Sequence, residues 1–341
     1  MAERKTFIDI AKGLGIILVI LGHLDTDGQI SREVIYAFHM PFFFVLSGIF
    51  ANTKIDFKSY FKNSFYSLYL PYLIFVVIDT ILFSVIKFIQ GGNVIELVKS
   101  NVLSLLGFNF EVSNRPLWFL LALFIIRLVF YFANKNKVIK YSLAILCVAF
   151  VFVKNGALFS VPEKCVFIMA IPGLFFYIIG NVAKKYILNF DDIVNSKKLI
   201  FSVVLIACFA LFIFTAHKNG SIDMTIYQYG NSLFYFINAI LGTFVFLILS
   251  AFLASFLFPK KALSFYGVNS IVILIFHYYI ARKVIPILMN HIGLGEYTFH
   301  PITQLVALTV ILLKMVPVIL IANKYFYFMF GKKRPTLIKK T

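Results

Sequence analysis

Ten stretches of mostly apolar residues follow one another along this chain, and few folds admit that pattern. They run over roughly 8–25, 34–52, 69–90, 116–133, 138–155, 165–183, 199–217, 231–257, 265–289 and 302–330. A helix needs about 20 such residues to cross a bilayer. Inside lipid its backbone polar groups must be satisfied within the segment. The pattern therefore reads as an all-α, polytopic transmembrane helix bundle of about ten spans. The low charge agrees: 13% of residues are charged and 61% hydrophobic, whereas soluble domains carry about 25% charged residues. Residues 1–335 read as a single integral-membrane domain and 336–341 as a short cytoplasmic tail. The stretch 58–66 reads as a short interfacial helix. The 91–115 connection, the longest, is a candidate to fold back into the membrane. Pro317 is a candidate kink in the last run.

A net charge of +18 would suggest nucleic acid in a soluble protein. Here the basic residues gather between apolar runs, so membrane topology accounts for them and no nucleic-acid partner is expected. Alternate connections are strongly unequal. One set holds nineteen Lys and Arg, among them Lys58, Lys62 and Lys137; the other holds six, among them Arg32, Arg115 and Lys164. The positive-inside rule then puts both termini in the cytoplasm of a multi-pass cell-membrane protein. The polar stretch from Gly22 to Gly48 faces outward. Cys147, Cys165 and Cys208 lie in apolar runs without pairing or metal spacing, and no metal is expected.

Ionisable groups within spans are costly, so they face a cavity or a partner. His23 closes the first run and His39 opens the second. Lys12 precedes His23 by eleven residues, about 16 Å at the 1.5 Å helical rise. The two histidines thus fall at similar depth on successive helices, with His277 in the middle of the ninth run. Imidazole takes and gives protons near neutrality, which suits general-base activation of a hydroxyl. The plain alternative for His23 is an interfacial cap, and for His39 a structural hydrogen bond beside Pro41. Asp9 and Lys12 have i, i+3 spacing and read equally as an ion pair. Arg127, in mid-span, calls for an anionic ligand or a carboxylate such as Asp79. His217, His291 and His300 read as solvated.

Two of these stretches, "FIDIAKGLGIILVILGH" and "FHMPFFFVLSGIF", resemble the opening helices of the acyltransferase-3 family of bacterial membrane O-acyltransferases. Lys12 stands where many members have arginine, with ten residues between it and the first-helix histidine. In order along the chain, "RPLWFLLALF", "PGLFFYIIGNVAKK" and "YGVNSIVILIFH" are similar to later family helices, so the resemblance spans about residues 5–330. The chain departs from the family before its third helix: "SLYLPYLIF" keeps Pro71-Tyr72 but lacks the preceding arginines. Lys58 and Lys62 are the nearest cations there, and a lysine is a point charge rather than a bidentate fork.

The resemblance implies transfer of an acyl group, usually acetyl from acetyl-CoA, to a hydroxyl of a surface glycan or its lipid-linked precursor. It implies His23 as the base, with His39, Asn238 or His277 orienting the hydroxyl or supporting the oxyanion. Lys12, Lys58, Lys62 and Arg127 are the candidate donor-binding cations; membrane lipids and the acceptor are the expected partners. A transporter or flippase of a glycan-lipid or anionic solute is the alternative, with Lys12, Arg127 and His277 along its path. Inverted repeats, which a transporter would favour, are not evident.

Overall fold

Within an apolar run the backbone bonds to itself, and the chain is helical almost throughout. The computed structural model describes residues 5–24, 30–155, 162, 164–291 and 301–332. The first third comprises α1 (Thr6–Leu24), α2 (Ile30–Tyr36), α3 (His39–Ile49), α4 (Phe57–Ser64), α5 (Leu70–Ile89) and α6 (Val94–Leu105). Then come α7 (Trp118–Ala133), α8 (Lys137–Asn155), α9 (Val166–Val182), α10 (Lys184–Leu188), α11 (Phe190–Ser196) and α12 (Lys198–Asn219). The last third holds α13 (Ser232–Leu253), α14 (Leu257–Val268), α15 (Ser270–Tyr279), α16 (Ile285–His291) and α17 (Pro301–Tyr325). Among the described residues the one extended pairing is an isolated antiparallel bridge, Asp223–Gln228.

Among the described residues seven helices are long and apolar enough to cross a membrane: Thr6–Leu24, Phe57–Ile89, Arg115–Ala133, Lys198–Asn219, Ser232–Leu253, Ser270–Ile287 and Ile302–Tyr325. The molecule is an all-α polytopic membrane bundle. The three remaining expected spans correspond to α3, α8 and α9, of 11, 19 and 17 residues. The run 34–52 is not one helix. Phe38 leaves helical geometry at φ −144°, which separates α2 from α3. At 1.5 Å per residue α3 is about 17 Å long, short of a roughly 30 Å hydrocarbon core.

Three other boundaries differ from the sequence reading. The expected interfacial helix at 58–66 is continuous with the next span, because a π-helical turn over Phe65–Tyr69 joins α4 to α5. Asp56 caps that long helix by accepting from the Ser59 amide at 2.9 Å. The 91–115 connection contains α6, capped by Asn93 and held against α5 where Tyr72 donates to the Ser104 carbonyl at 2.5 Å. The run 265–289 breaks at Asn269, whose side-chain amide donates back to the Phe265 carbonyl at 2.7 Å. α17 continues through Pro317. The tail 336–341 lies outside the described residues.

α1 is the centre of the bundle, packed by α3, α13, α14, α15 and α17. Glycines set its closest approach. A Cβ on Gly13 would collide with the Leu263 carbonyl of α14, and one on Gly267 of α14 with the Asp9 carbonyl of α1. The same reciprocal device joins α3 to α9: Gly48 meets the Tyr177 carbonyl and Gly180 the Val45 carbonyl. Without a hydrophobic driving force between helices in lipid, such backbone approach maximises van der Waals contact.

Candidate active site

α1, α3 and α15 each carry one histidine, and the packing around α1 collects all three. Each is oriented by its own helix. The Nδ1 atoms of His23, His39 and His277 lie 2.7, 2.8 and 2.8 Å from the carbonyls of Val19, Ile35 and Ile273, four residues back in each case. A carbonyl only accepts, so Nδ1 carries the hydrogen and Nε2 keeps its lone pair. His277 Nε2 lies 3.4 Å from His23 Nδ1, with ring centroids 5.0 Å apart at 72°. The His23 hydrogen is thereby shared between Val19 and His277. The His277 lone pair is occupied, and that of His23 has no partner among the described residues. His277 is fully buried and His39 nearly so, while His23 is half-buried.

His23 and His39 line a cavity of about 270 Å³. Its other walls come from connections. Arg32 and Tyr36 belong to α2, whose Glu33 pairs with His217 of α12 at 3.2 Å. Arg115 and Pro116 precede α7, and Trp118 begins it. Asp223 and Thr225 come from the bridged turn after α12, where the Asp223 carboxylate accepts from the Thr225 amide and hydroxyl at 2.8 and 2.6 Å. Tyr278 and Arg282 follow His277, with the Tyr278 ring 5.4 Å from that of His23. The basic-poor connections thus converge on one end of the bundle, around the C-terminus of α1. A smaller apolar pocket of about 40 Å³ lies one turn further down α1, between Ile16, Val19, Met40, Phe119, Ile271 and Leu274. It shares Val19, Met40 and Leu274 with the larger cavity.

Asp79 of α5 is fully buried and anchors two of these connections. It accepts from the Tyr279 hydroxyl on one side and from the Ser113 amide at 3.1 Å on the other. Next to Ser113, the Asn114 side chain donates to the Ile275 carbonyl at 2.8 Å.

A family model described as an acyltransferase domain matches residues 5–322. The chain belongs to the acyltransferase-3 family. Neither a curated protein nor a solved structure matches it. The family makes the protein a membrane acyltransferase, with an acyl donor and an acceptor as its substrates.

Against that family reading, the sequence-selected residues divide in two. The histidines are brought together. The cations are not: none of Lys12, Lys58, Lys62 and Arg127 lines the histidine cavity. Lys12 sits over the Phe50 ring, 4.6 Å from its centroid, and Lys58 and Lys62 are exposed on α4. Arg127 is not relieved by Asp79. It donates to Ser67 Oγ at 3.2 Å and faces the Tyr60 ring. Asn238 takes a 2.5 Å bond from Thr215 and is not part of the cavity wall. His217 is exposed but paired with Glu33 rather than merely solvated, His291 is exposed, and His300 lies outside the described residues. Tyr36, Asp223 and Tyr278 line the cavity but carry no motif in the sequence, where Arg32 and Arg115 read as topology markers alone. Their signal was the use of arginine in connections where lysine is scarce. Among the described residues no group of three or more His, Cys, Asp or Glu is arranged to hold a metal.

Proposed function

We propose that the protein transfers an acetyl group from acetyl-CoA to a hydroxyl of a cell-surface glycan or its lipid-linked precursor, with His23 as general base. The observation that carries this reading is the orientation of His23. Its Nδ1–H is held by Val19 and His277, and its ring lines a cavity large enough for part of a sugar. Nε2 of His23 takes the hydroxyl proton as the oxygen attacks the thioester carbonyl carbon. The C–S bond then breaks, and CoA leaves as a thiolate that takes up a proton. The carbonyl end of α1 favours the transient imidazolium, because the last turn of a helix carries partial negative charge. His39 also lines the cavity with its Nε2 lone pair uncommitted to Ile35, and orients the acceptor hydroxyl. His277 acts on His23 rather than on substrate.

The thioester approaches from the opposite end of α1, where Lys12 lies, and its acetyl methyl enters the small apolar pocket below His23. Lys12, Lys58, Lys62 and Arg127 meet the CoA phosphates on the cytoplasmic side. The sugar enters the larger cavity from outside. Family membership favours this over the transporter alternative.

The test is mass spectrometry of surface glycans from a deletion strain complemented with wild-type protein or with His23→Gln at matched membrane levels. Glutamine keeps a hydrogen-bonding side chain but carries no proton at neutral pH. Loss of a general base costs about 10²–10⁴-fold in rate, so glycan acetylation should fall to the deletion level. Wild-type acetylation with H23Q would remove His23 from the chemistry.

A further inference from the structure

The chain has six arginines against twenty-six lysines, and three of the six, Arg32, Arg115 and Arg282, line the histidine cavity. They arrive from three separate elements: α2, the turn before α7, and the π-helical segment Ile280–Val284 after α15. Among the described residues Asp223 is the one carboxylate in that wall, and it is already bonded within its own turn to Thr225. Among the described residues neither Arg115 nor Arg282 has a carboxylate in salt-bridge range. Arg32 and Arg282 lie over tyrosine rings, 4.7 Å from that of Tyr36 and 5.8 Å from that of Tyr278. These planes steer each guanidinium, and that of Tyr278 does so for Arg282 without neutralising it. Arg115 also borders both neighbouring cavities, and Arg282 one of them, so the cationic lining continues beyond the histidines.

Two of the three arginines are placed by one buried group. Asp79 binds the Ser113 amide two residues before Arg115 and the Tyr279 hydroxyl three residues before Arg282. Topology does not account for this arrangement. On the side with few basic residues, sparse cations would be expected to scatter, and lysine would serve as well. Arginine differs from lysine in offering a planar fork of donors that matches a carboxylate or phosphate.

Building on the acyl-transfer reading of this cavity, we propose that the acceptor is anionic. Arg115 and Arg282, with Arg32, bind a carboxylate or phosphate on the sugar that carries the reacting hydroxyl and so hold that hydroxyl beside His23. The two sources of such charge are a uronic-type carboxylate in the glycan and a phosphate in its lipid-linked or phosphate-bearing form.

Trp118 makes the test direct, since it lines the same cavity and is the sole tryptophan of the chain. Detergent-purified protein is titrated at constant ionic strength with methyl β-glucuronoside, glucose 1-phosphate and neutral methyl β-glucoside while Trp118 emission is followed. At least one anionic sugar should give a saturable change at concentrations at least tenfold below any response to the neutral one. Which anion responds identifies the source. Arg115→Gln and Arg282→Gln should each weaken that response roughly 10- to 100-fold, the loss typical of one charge-assisted contact. Because both side chains are exposed, Arg115→Lys and Arg282→Lys serve as charge-preserving folding controls and should recover only part of the affinity. Equal response to all three sugars, no saturable response to either anion, or undiminished anion binding in the double Gln variant would overturn the proposal. The titration reads binding without acyl transfer and the H23Q test reads acetylation alone, so failure of the general-base reading and failure of this one give different results.

Discussion

Val19 touches both parts of the candidate site. Its carbonyl holds His23 Nδ1–H, and its side chain separates the histidine cavity from the small apolar pocket. A single water needs about 10–15 Å³ of such space, so a pocket of about 40 Å³ takes a group of only a few heavy atoms. On the proposed reading that space takes the acetyl methyl and resists a longer chain. Val19→Ala keeps the carbonyl and removes two methyl groups from the wall. Purified V19A should therefore use propionyl-CoA better relative to acetyl-CoA, by roughly 10-fold, since one methylene in an apolar pocket is worth about 10–200-fold in discrimination. An unchanged ratio of kcat/KM for the two donors would place the acyl group elsewhere. At this scale the sequence was informative about depth and silent about azimuth. His23 and His39 were legible as cavity neighbours because both close or open an apolar run at the same membrane level. The role of Val19, and the shared hydrogen between His23 and His277, depend on which way the helices are rotated. In helices apolar on nearly every side, periodicity does not report that.

Helix pairs here are specified by small residues more than by matching apolar stripes. The α1–α14 and α3–α9 contacts both use two glycines facing carbonyls of the partner, so neither pair tolerates a side chain at those points. Gly180→Leu should separate α9 from α3 and tilt the wall that carries His39 and Met40. Overpacking of this kind costs about 1–3 kcal/mol. Detergent-purified G180L should lose monodispersity at a temperature several degrees lower, whereas a substitution at the nearby exposed Val182 should not. Equal thermal stability of the two would mean that the helices separate at little cost. Gly48, in the "SG" of "HMPFFFVLSG", provides the close approach of α3 to α9. Breaks were less legible. The run 34–52 splits at Phe38 and the run 265–289 at Asn269, yet hydropathy is continuous across both. The join between α4 and α5 erred the other way: the polar residues Lys58, Lys62 and Asn63 mark only the exposed first turns of one longer helix.

For the whole molecule, the charge asymmetry between alternate connections and the geometry of the cavity make one joint claim. Residues 30–36, 113–118, 223–225 and 278–282 all contribute to the end of the bundle where His23 lies. In the sequence the first three belong to or border the connections poor in Lys and Arg, which the positive-inside rule assigns to the exterior, and the fourth lies beyond the middle of the ninth run on its way there. The other end holds α4 with Lys58 and Lys62, and the α7–α8 turn with Lys135 and Lys137. On the proposed mechanism, a bundle that sits this way receives acetyl-CoA from the cytosol and the glycan from outside, and the acyl group crosses from one side to the other at His23. Two described, exposed positions test this. Ile226 lies in the turn beside Asp223, and Lys137 begins α8. In a background with Cys147, Cys165 and Cys208 replaced by serine or alanine, Ile226→Cys should react with a membrane-impermeant maleimide in intact cells. Lys137→Cys should react only after permeabilisation. Each protein must also acetylate surface glycan, so that labelling reports the functional orientation. The reverse pattern in active protein would put the three arginines and His23 in the cytosol. The acceptor would then be modified before export, and the exposed lysines of α4 would be on the wrong side to meet CoA.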